Sequence, residues 1–387
     1  MNGLIPPIAI PVGSRAIVAS AFGGDDARLA FRETLTSISG FRTVDLYSSG
    51  RAALAALLAE CKRTTRTEVA VPAYTCWSVP AAIVSAGLSV RLVDMDPATL
   101  DFDVASLGRA VSGSLAAIVV AHLFAAHADV DAVVELARAK DPSLMVVDDR
   151  AQAWLGARPS PASAVLLSFG RGKPLPLGGG GAVLHHGPSL APAAAGTSRG
   201  FVDGLVFAAT SLLAQPRPYG LLEGVPFLRI GSTRYDPTFP RGDGLHGWQA
   251  RLGSHMFDPL LDWTERRTAN ARRLATRVDA LAGWSVAPPA RCEGPLRLPI
   301  LAPSRGARDA AIASLRRQGV GSSPMYPGTL ADIPALRPRI ANPGESLRGA
   351  TEVAARLLTL PVYPTLSPRQ VDGIATAFER AAANAGR

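Results

Sequence analysis

The sequence predicts an α/β protein, with a mostly parallel sheet sandwiched by helices and a smaller C-terminal α+β domain behind it. Three observations predict this. From residue 50 to about 185, short apolar runs alternate with helical patterns. Those runs are continuous rather than polar at every second place, as strands covered on both faces are. A long Arg-rich amphipathic stretch at 256–282 then separates this region from one with a different order of elements.

Residues 51–61 (RAALAALLAEC) read as a helix, and 68–71 (EVAV) as a short strand ending at Pro72. A helix over 77–87 closes at Gly87, and 88–93 (LSVRLV) follows as a strand. The pattern repeats with a helix at 102–111, a buried strand at 115–120, a helix at 129–140 capped by Asp129, and a strand at 143–148. Residues 163–169 and 181–186 flank a Gly/Pro-rich turn, so these two strands are expected to be antiparallel. The expected large domain runs from 1 to 255 and carries an irregular insertion at about 187–238. The linking helix and small domain fill 256–387, read as two strands, a helix (305–318), a strand, a loop and two closing helices.

Composition narrows the function classes. The chain has 387 residues, 48% hydrophobic and 18% charged, enough apolar material for a sizeable core. Its net charge of +9 raises nucleic acid as a partner, but the basic residues are scattered singly or in pairs such as Arg272-Arg273 and Arg316-Arg317. No basic stripe forms, and nucleic-acid binding is not expected. Cys61, Cys76 and Cys292 are odd in number and far apart, so neither a disulfide framework nor a CxxC metal site is expected. The opening MNGLIPPIAIPVGSR lacks the basic and apolar regions of a signal peptide, and no run of eighteen apolar residues exists. A cytoplasmic protein is expected. The segment 187–238 leaves three readings open: a helical hairpin against the body, an enlarged dimer interface, or a peripheral membrane contact through its apolar part at 204–222.

Only three of the 40 Lys and Arg residues are lysines: Lys62, Lys140 and Lys173. Arginine serves almost wherever a plain positive charge is needed, but it cannot replace an amine that must attack a carbonyl. Lys62 and Lys140 lie near predicted helix ends, where a cation complements the dipole. Lys173 lies between an apolar strand and four consecutive glycines, either as a solvent-exposed turn lysine or as a desolvated amine poised for Schiff-base chemistry. Asp148-Asp149 ends a buried strand, as a capping or surface pair, or as a carboxylate awaiting a cation such as a protonated pyridine nitrogen. Ser49-Gly50-Arg51 opens a helix, where free N–H groups suit a phosphate, although Ser49 also reads as a plain cap.

These features occur in an order that resembles the DegT/StrS-type sugar aminotransferases, pyridoxal 5′-phosphate (PLP) enzymes of the aspartate-aminotransferase (type I) fold. The resemblance covers about 45–185 and 240–380. The family's S-G-T corresponds to Ser49-Gly50-Arg51, and its V-P-S-F-T to Val71-Pro72-Ala73-Tyr74-Thr75. F-V-D-I-D resembles Leu92-Val93-Asp94-Met95-Asp96, and V-H-L-Y-G resembles Ala121-His122-Leu123-Phe124-Ala125. E-D-A-A-Q resembles Asp148-Asp149-Arg150-Ala151-Gln152, and S-F-x-x-x-K is found as Ser168-Phe169-Gly170-Arg171-Gly172-Lys173. The closing ARLLTLPVYPTLSPRQVDGI is similar to the family's L-S-L-P-x-Y-P segment.

The resemblance implies that Lys173 holds PLP as a Schiff base and moves the proton, while Asp149 pairs with the pyridine nitrogen. Gln152 is implied at the ring face or hydroxyl. Ser49, Ser168 and the backbone at Gly50-Arg51 are implied at the phosphate, and His122 and Tyr326 on the substrate side. Cys76 stands where the family places its stacking aromatic, which leaves that face to Trp77 or Tyr74. The N-Y-R-M segment expected near 242–245, before Gln249-Ala250, is not preserved. The implied activity moves an amino group from an amino acid, typically glutamate, to a keto group of a nucleotide-linked sugar or similar cyclic ketone, in a homodimer. No metal is implied. The alternatives are a non-catalytic regulatory or assembly relative, and other PLP chemistry such as dehydration or aromatisation of a cyclic precursor.

Overall fold

A computed structural model describes residues 4–20, 24–156, 158–190, 204, 206–208, 211, 235–240, 244–288 and 293–385. Most of the expected insertion, Cys292, and residues 242–243 of the stretch where N-Y-R-M is missing lie outside the described residues.

Helices α1 (Ser14–Ser20) and α2 (Asp25–Ser39) precede strand β1 (Thr43–Tyr47), all upstream of the alternation legible in the sequence. The alternating region follows as α3 (Gly50–Cys61), β2 (Glu68–Pro72), α4 (Ser78–Ser85) and β3 (Ser89–Val93). Next come the short β4 (Met95–Asp96) and β5 (Asp101–Phe102), α5 (Val104–Ala110), β6 (Leu115–Ala121) and α6 (Val130–Lys140). Strands β7 (Met145–Asp149), β8 (Ala164–Ser168) and β9 (Gly181–His185) complete the large sheet.

Its order is β1-β9-β8-β7-β6-β2-β3, and β9 alone runs against its neighbours. The antiparallel β8–β9 pair is the one the Gly/Pro turn predicts. Every residue of β6 is buried, as a central strand covered on both faces requires. The helices start where side chains can cap them. Ser49 accepts from the Ala52 N–H at 3.1 Å, Asp103 from Ser106 at 2.7 Å, and Asp129 from Ala132 at 3.0 Å. Such caps are each worth about 1 kcal/mol.

Helix α7 (Gly247–His255) packs into the core beneath the large sheet, and α8 (Phe257–Val278) leads from it into the C-terminal part. It continues as β10 (Ser285–Val286), β11 (Arg297–Leu301), α9 (Arg305–Arg317), α10 (Arg348–Arg356), β12 (Leu357–Pro361) and α11 (Pro368–Ala385). An antiparallel sheet, β10-β11-β12, forms the smaller α+β domain. Strand β12 departs from the expected order, because it lies between the two closing helices. Between α9 and α10 the chain makes isolated bridges in place of the expected strand, Val320 with Ile5, Ser323 with Thr359 and Ile340 with Val90. Ile5 and Ala9 thereby join the core of the C-terminal domain.

Several hydrogen bonds tie the two parts together, among them those of Leu92 with Asn342 and of Val90 with Ala341. Asp94, just beyond β3, accepts from the Gly349 and Ala350 N–H groups at 3.0 and 2.8 Å, capping the first turn of α10. Gly349 must be glycine there, since a methyl group would stand 1.7 Å from the Met95 carbonyl oxygen. In the apolar stretch 204–214, Phe207 is buried against Gly178 and the Trp248 ring, so that part of it packs on the body. Among the described residues, no helix is long and apolar enough to cross a membrane.

Candidate active site

Strands β2, β6, β7 and β8 run parallel, so their carboxyl ends meet at one edge of the sheet. The loops there, with the N-terminus of α3, enclose a cavity of about 150 Å³. This is where open α/β sheets place ligands. Eight of the residues singled out from sequence line it: Ser49, Gly50, Arg51, His122, Asp149, Gln152, Ser168 and Lys173. Trp77 and Tyr326 do not.

At the α3 end the walls approach closely. The first N–H groups of a helix have no partner within it. Ser168 stands directly beside them, since a methyl group at Gly50 would lie 3.0 Å from the Ser168 hydroxyl oxygen. One at Gly181 would lie 2.5 Å from the Gly50 nitrogen. Gly180 has φ of +100°, a conformation that side chains oppose, and its N–H donates to Ser48. The glycine run thus lets β9 lie against the helix start and leaves a small cradle of backbone donors and one hydroxyl.

The two acids at the end of β7 divide their work. Strand periodicity sends their side chains to opposite faces. Asp148, fully buried away from the cavity, accepts from the His122 imidazole at 2.6 Å and from the Arg150 guanidinium at 2.8 Å. Burial alone would raise its pKa, but His122 and Arg150 overcome this and hold it at about 2. Asp149 faces the cavity and accepts from the Ala151 N–H at 2.9 Å. Burial pushes its carboxyl up, against the pull of that N–H and of the Lys173 charge. A carboxylate so placed favours the arrival of a cation.

His122 is spent differently from the sequence expectation. Its Nε2 faces Asp148, and its Nδ1 lies 3.1 Å from the Ala128 N–H and 3.2 Å from the Ala126 carbonyl. Both ring nitrogens are engaged by the protein, so the cavity meets a ring rather than a free nitrogen. Gln152 is likewise oriented from both ends, accepting from the Phe124 N–H at 3.2 Å and donating to the Tyr326 hydroxyl at 2.9 Å. Tyr326 is therefore one bond behind the wall, packed edge-on against Tyr74. Tyr74 is itself buried and bonded to the Pro324 carbonyl, and Trp77 packs against the core ahead of α4. Cys76 reaches the cavity where either aromatic was expected, and among the described lining residues the aromatic ring is that of His122.

The sequence reading had not assigned roles to Thr75, Gly179, Gly180 or Gln249. The first three line the cavity. Gln249 donates to the Leu177 carbonyl at 3.1 Å and steadies the glycine run from below. The run itself was the available signal for Gly179 and Gly180. Locally Gln249 is the N3 residue of the α7 capping box, accepting from the His246 N–H at 3.1 Å, and its second bond reaches Leu177, 72 residues away. Among the described residues no group of three His, Cys, Asp or Glu side chains could hold a metal.

A lysine, a buried carboxylate seeking a cation, and a donor cradle fit a cofactor with a carbonyl, a basic ring nitrogen and a phosphate. The DegT/DnrJ/EryC1/StrS aminotransferase family model matches residues 24–209 and 241–379. The chain belongs to that family. Its members are PLP-dependent aminotransferases, and so is this chain. Among curated proteins, the Pleiotropic regulatory protein of Geobacillus stearothermophilus is 28% identical over 78% of this chain and 75% of its own length. The L-glutamine:2-deoxy-scyllo-inosose aminotransferase of Micromonospora echinospora is 40% identical over 29% of this chain and 26% of its own. Among solved structures, Helicobacter pylori PseC, an aminotransferase of pseudoaminic acid biosynthesis, superposes with a TM-score of 0.77 over 99% of this chain and all of its own, at 15% identity. That likeness establishes the type I fold.

Proposed function

We propose that this family member moves an amino group from an amino acid to the keto group of a cyclic polyol or sugar. The observation that carries the reading is Lys173 and Asp149 facing one cavity beside the Gly50–Ser168 cradle. PLP supplies an electron sink when bound. Lys173 would provide the amine that holds the cofactor and would carry the proton. Asp149, raised by burial, is offset by the protonated ring nitrogen. The N–H groups of Gly50 and Arg51, with Ser49 and the Ser168 hydroxyl, take the phosphate. Gln152, fixed by the Phe124 N–H and the Tyr326 hydroxyl, would meet the cofactor, and the His122 imidazole would stand where Trp77 was a candidate. The inosose relative supports a cyclic ketone as acceptor and glutamine, alongside glutamate, as donor.

Several finer points belong to the same reading. The large domain ends near residue 255, with the N-terminal segment around Ile5 packed on the small one. The protein works as a homodimer in the cytoplasm. Cys61 and Cys76, both free thiols, agree with a reducing compartment.

The test is direct. Purified protein given PLP should acquire a visible absorption band that changes on adding glutamine or glutamate, and should then aminate scyllo-inosose-type ketones or nucleotide-linked ketosugars. A protein that takes up no PLP overturns the reading. The regulatory name of the Geobacillus relative favours a second reading, a regulator that retains the fold. Lys173→Ala separates the two, because a biological output that survives the substitution supports regulation over catalysis.

A further inference from the structure

Three charged side chains line the cavity: Asp149, Lys173 and Arg51. Lys173 and Asp149 are occupied by the chemistry proposed above, and this inference rests on that reading. Arg51 is not. Its backbone N–H belongs to the α3 cradle, but its guanidinium lies over the Phe239 ring, 5.0 Å from the centroid. Phe239 is buried, 7% exposed, so the platform is fixed. Elsewhere Arg150, Arg273 and Arg277 each hold a carboxylate. Among the described residues Arg51 holds none. A guanidinium held over a ring through its cationic face can still offer N–H groups to a planar carboxylate, with two parallel hydrogen bonds.

An amino-acid donor must bring a carboxylate into this cavity. It cannot face Asp149, and Lys173 is spent on the cofactor. We propose that the Arg51 guanidinium, held by Phe239, binds the carboxylate of the amino donor and selects amino acids over plain amines.

The experiment uses the full chain, cofactor-free for the first measurement and loaded with PLP for the second. It measures two equilibrium constants for the wild type, Arg51→Met, Arg51→Lys and Phe239→Leu. The first is the Kd for PLP, from quenching of intrinsic fluorescence. The second is the Kd for glutamine or glutamate, from the absorption change of the bound cofactor. Loss of a charge-assisted pair weakens binding by roughly 10- to 100-fold. Arg51→Met should therefore raise the donor Kd by about that factor while the PLP Kd moves little. Arg51→Lys should restore part of the loss, and Phe239→Leu should show a smaller loss of the same kind. A decarboxylated amine should bind the wild type and Arg51→Met alike. An unchanged donor Kd overturns the proposal. So does a loss of PLP affinity that equals or exceeds the loss for the donor, which would place the guanidinium on the cofactor phosphate. A wild type that takes up no PLP overturns the functional reading itself, an outcome distinct from either.

Discussion

The side-chain amide of Gln152 donates to the hydroxyl of Tyr326 across 2.9 Å, joining the loop after β7 to the segment between α9 and α10. Both groups are buried, and Tyr326 stays protonated because burial, with Cys76 and Tyr74 nearby, pushes its pKa well up. Tyr326→Phe removes the acceptor and leaves an amide N–H buried without a partner. Such groups cost about 1–3 kcal/mol. Urea unfolding should show a loss of that size, with the PLP Kd less affected than stability. An unchanged midpoint would mean that Gln152 turns to another acceptor.

Asp149 should be a liability until the cofactor arrives. Its folded-state pKa is raised, chiefly by burial, so the native state binds its proton more tightly than the unfolded chain does. Stability from this group is therefore present at low pH and is lost as pH rises through the folded value. At neutral pH, Asp149→Asn should raise the melting temperature of cofactor-free protein. The same variant should lower kcat by roughly 10²–10⁴-fold, because the ring nitrogen loses the carboxylate that keeps it protonated. Melting curves of stripped protein and steady-state rates read the two halves separately.

Asp148 carries the opposite sign. Its pKa falls from the ordinary 3.8 to about 2, because His122 and Arg150 outweigh the burial that opposes them. Its contribution is present above 3.8 and disappears as pH drops through about 2. Asp148→Asn leaves the Arg150 guanidinium without its buried counter-charge, a loss of about 3–5 kcal/mol at pH 7. An acid titration of stability should then lack the wild-type decline between those two pH values. A parallel decline in both proteins would contradict the assignment.

Gly181→Ala tests the cradle. The added methyl would meet the Gly50 nitrogen at 2.5 Å, which is backbone and cannot step aside without moving the start of α3. Overpacking of this kind costs about 1–3 kcal/mol. The PLP Kd should rise beyond what the stability loss alone produces, whereas Gly113→Ala, which meets nothing within 4 Å, should leave both unchanged. Fluorescence titration and thermal melts check the pair.

The strands of the large sheet were legible because a strand buried on both faces must be apolar throughout, and β6 writes that directly in LAAIVVA. Lys173 was legible because arginine had displaced lysine nearly everywhere else. What escaped depends on distance along the chain. The Tyr326 and Gln249 contacts span 174 and 72 residues, and no local pattern encodes a partner so far away. Trp77 was proposed from its place beside Cys76, yet adjacent residues before a helix start point different ways, and Trp77 packs on the core. Strand β12 was hidden because it follows α10 without a turn residue between them.

That direct junction gives the Asp94 cap a mechanical meaning. Asp94 grips the first turn of α10, and the last residue of α10 is bonded straight into β12, the edge strand of the small sheet. A stiff rod clamped at one end and continuous with a strand at the other transmits displacement instead of absorbing it. Through that clamp, and the Asn342 bonds to Leu92 beside it, the small sheet is geared to the rim of the large sheet at β3.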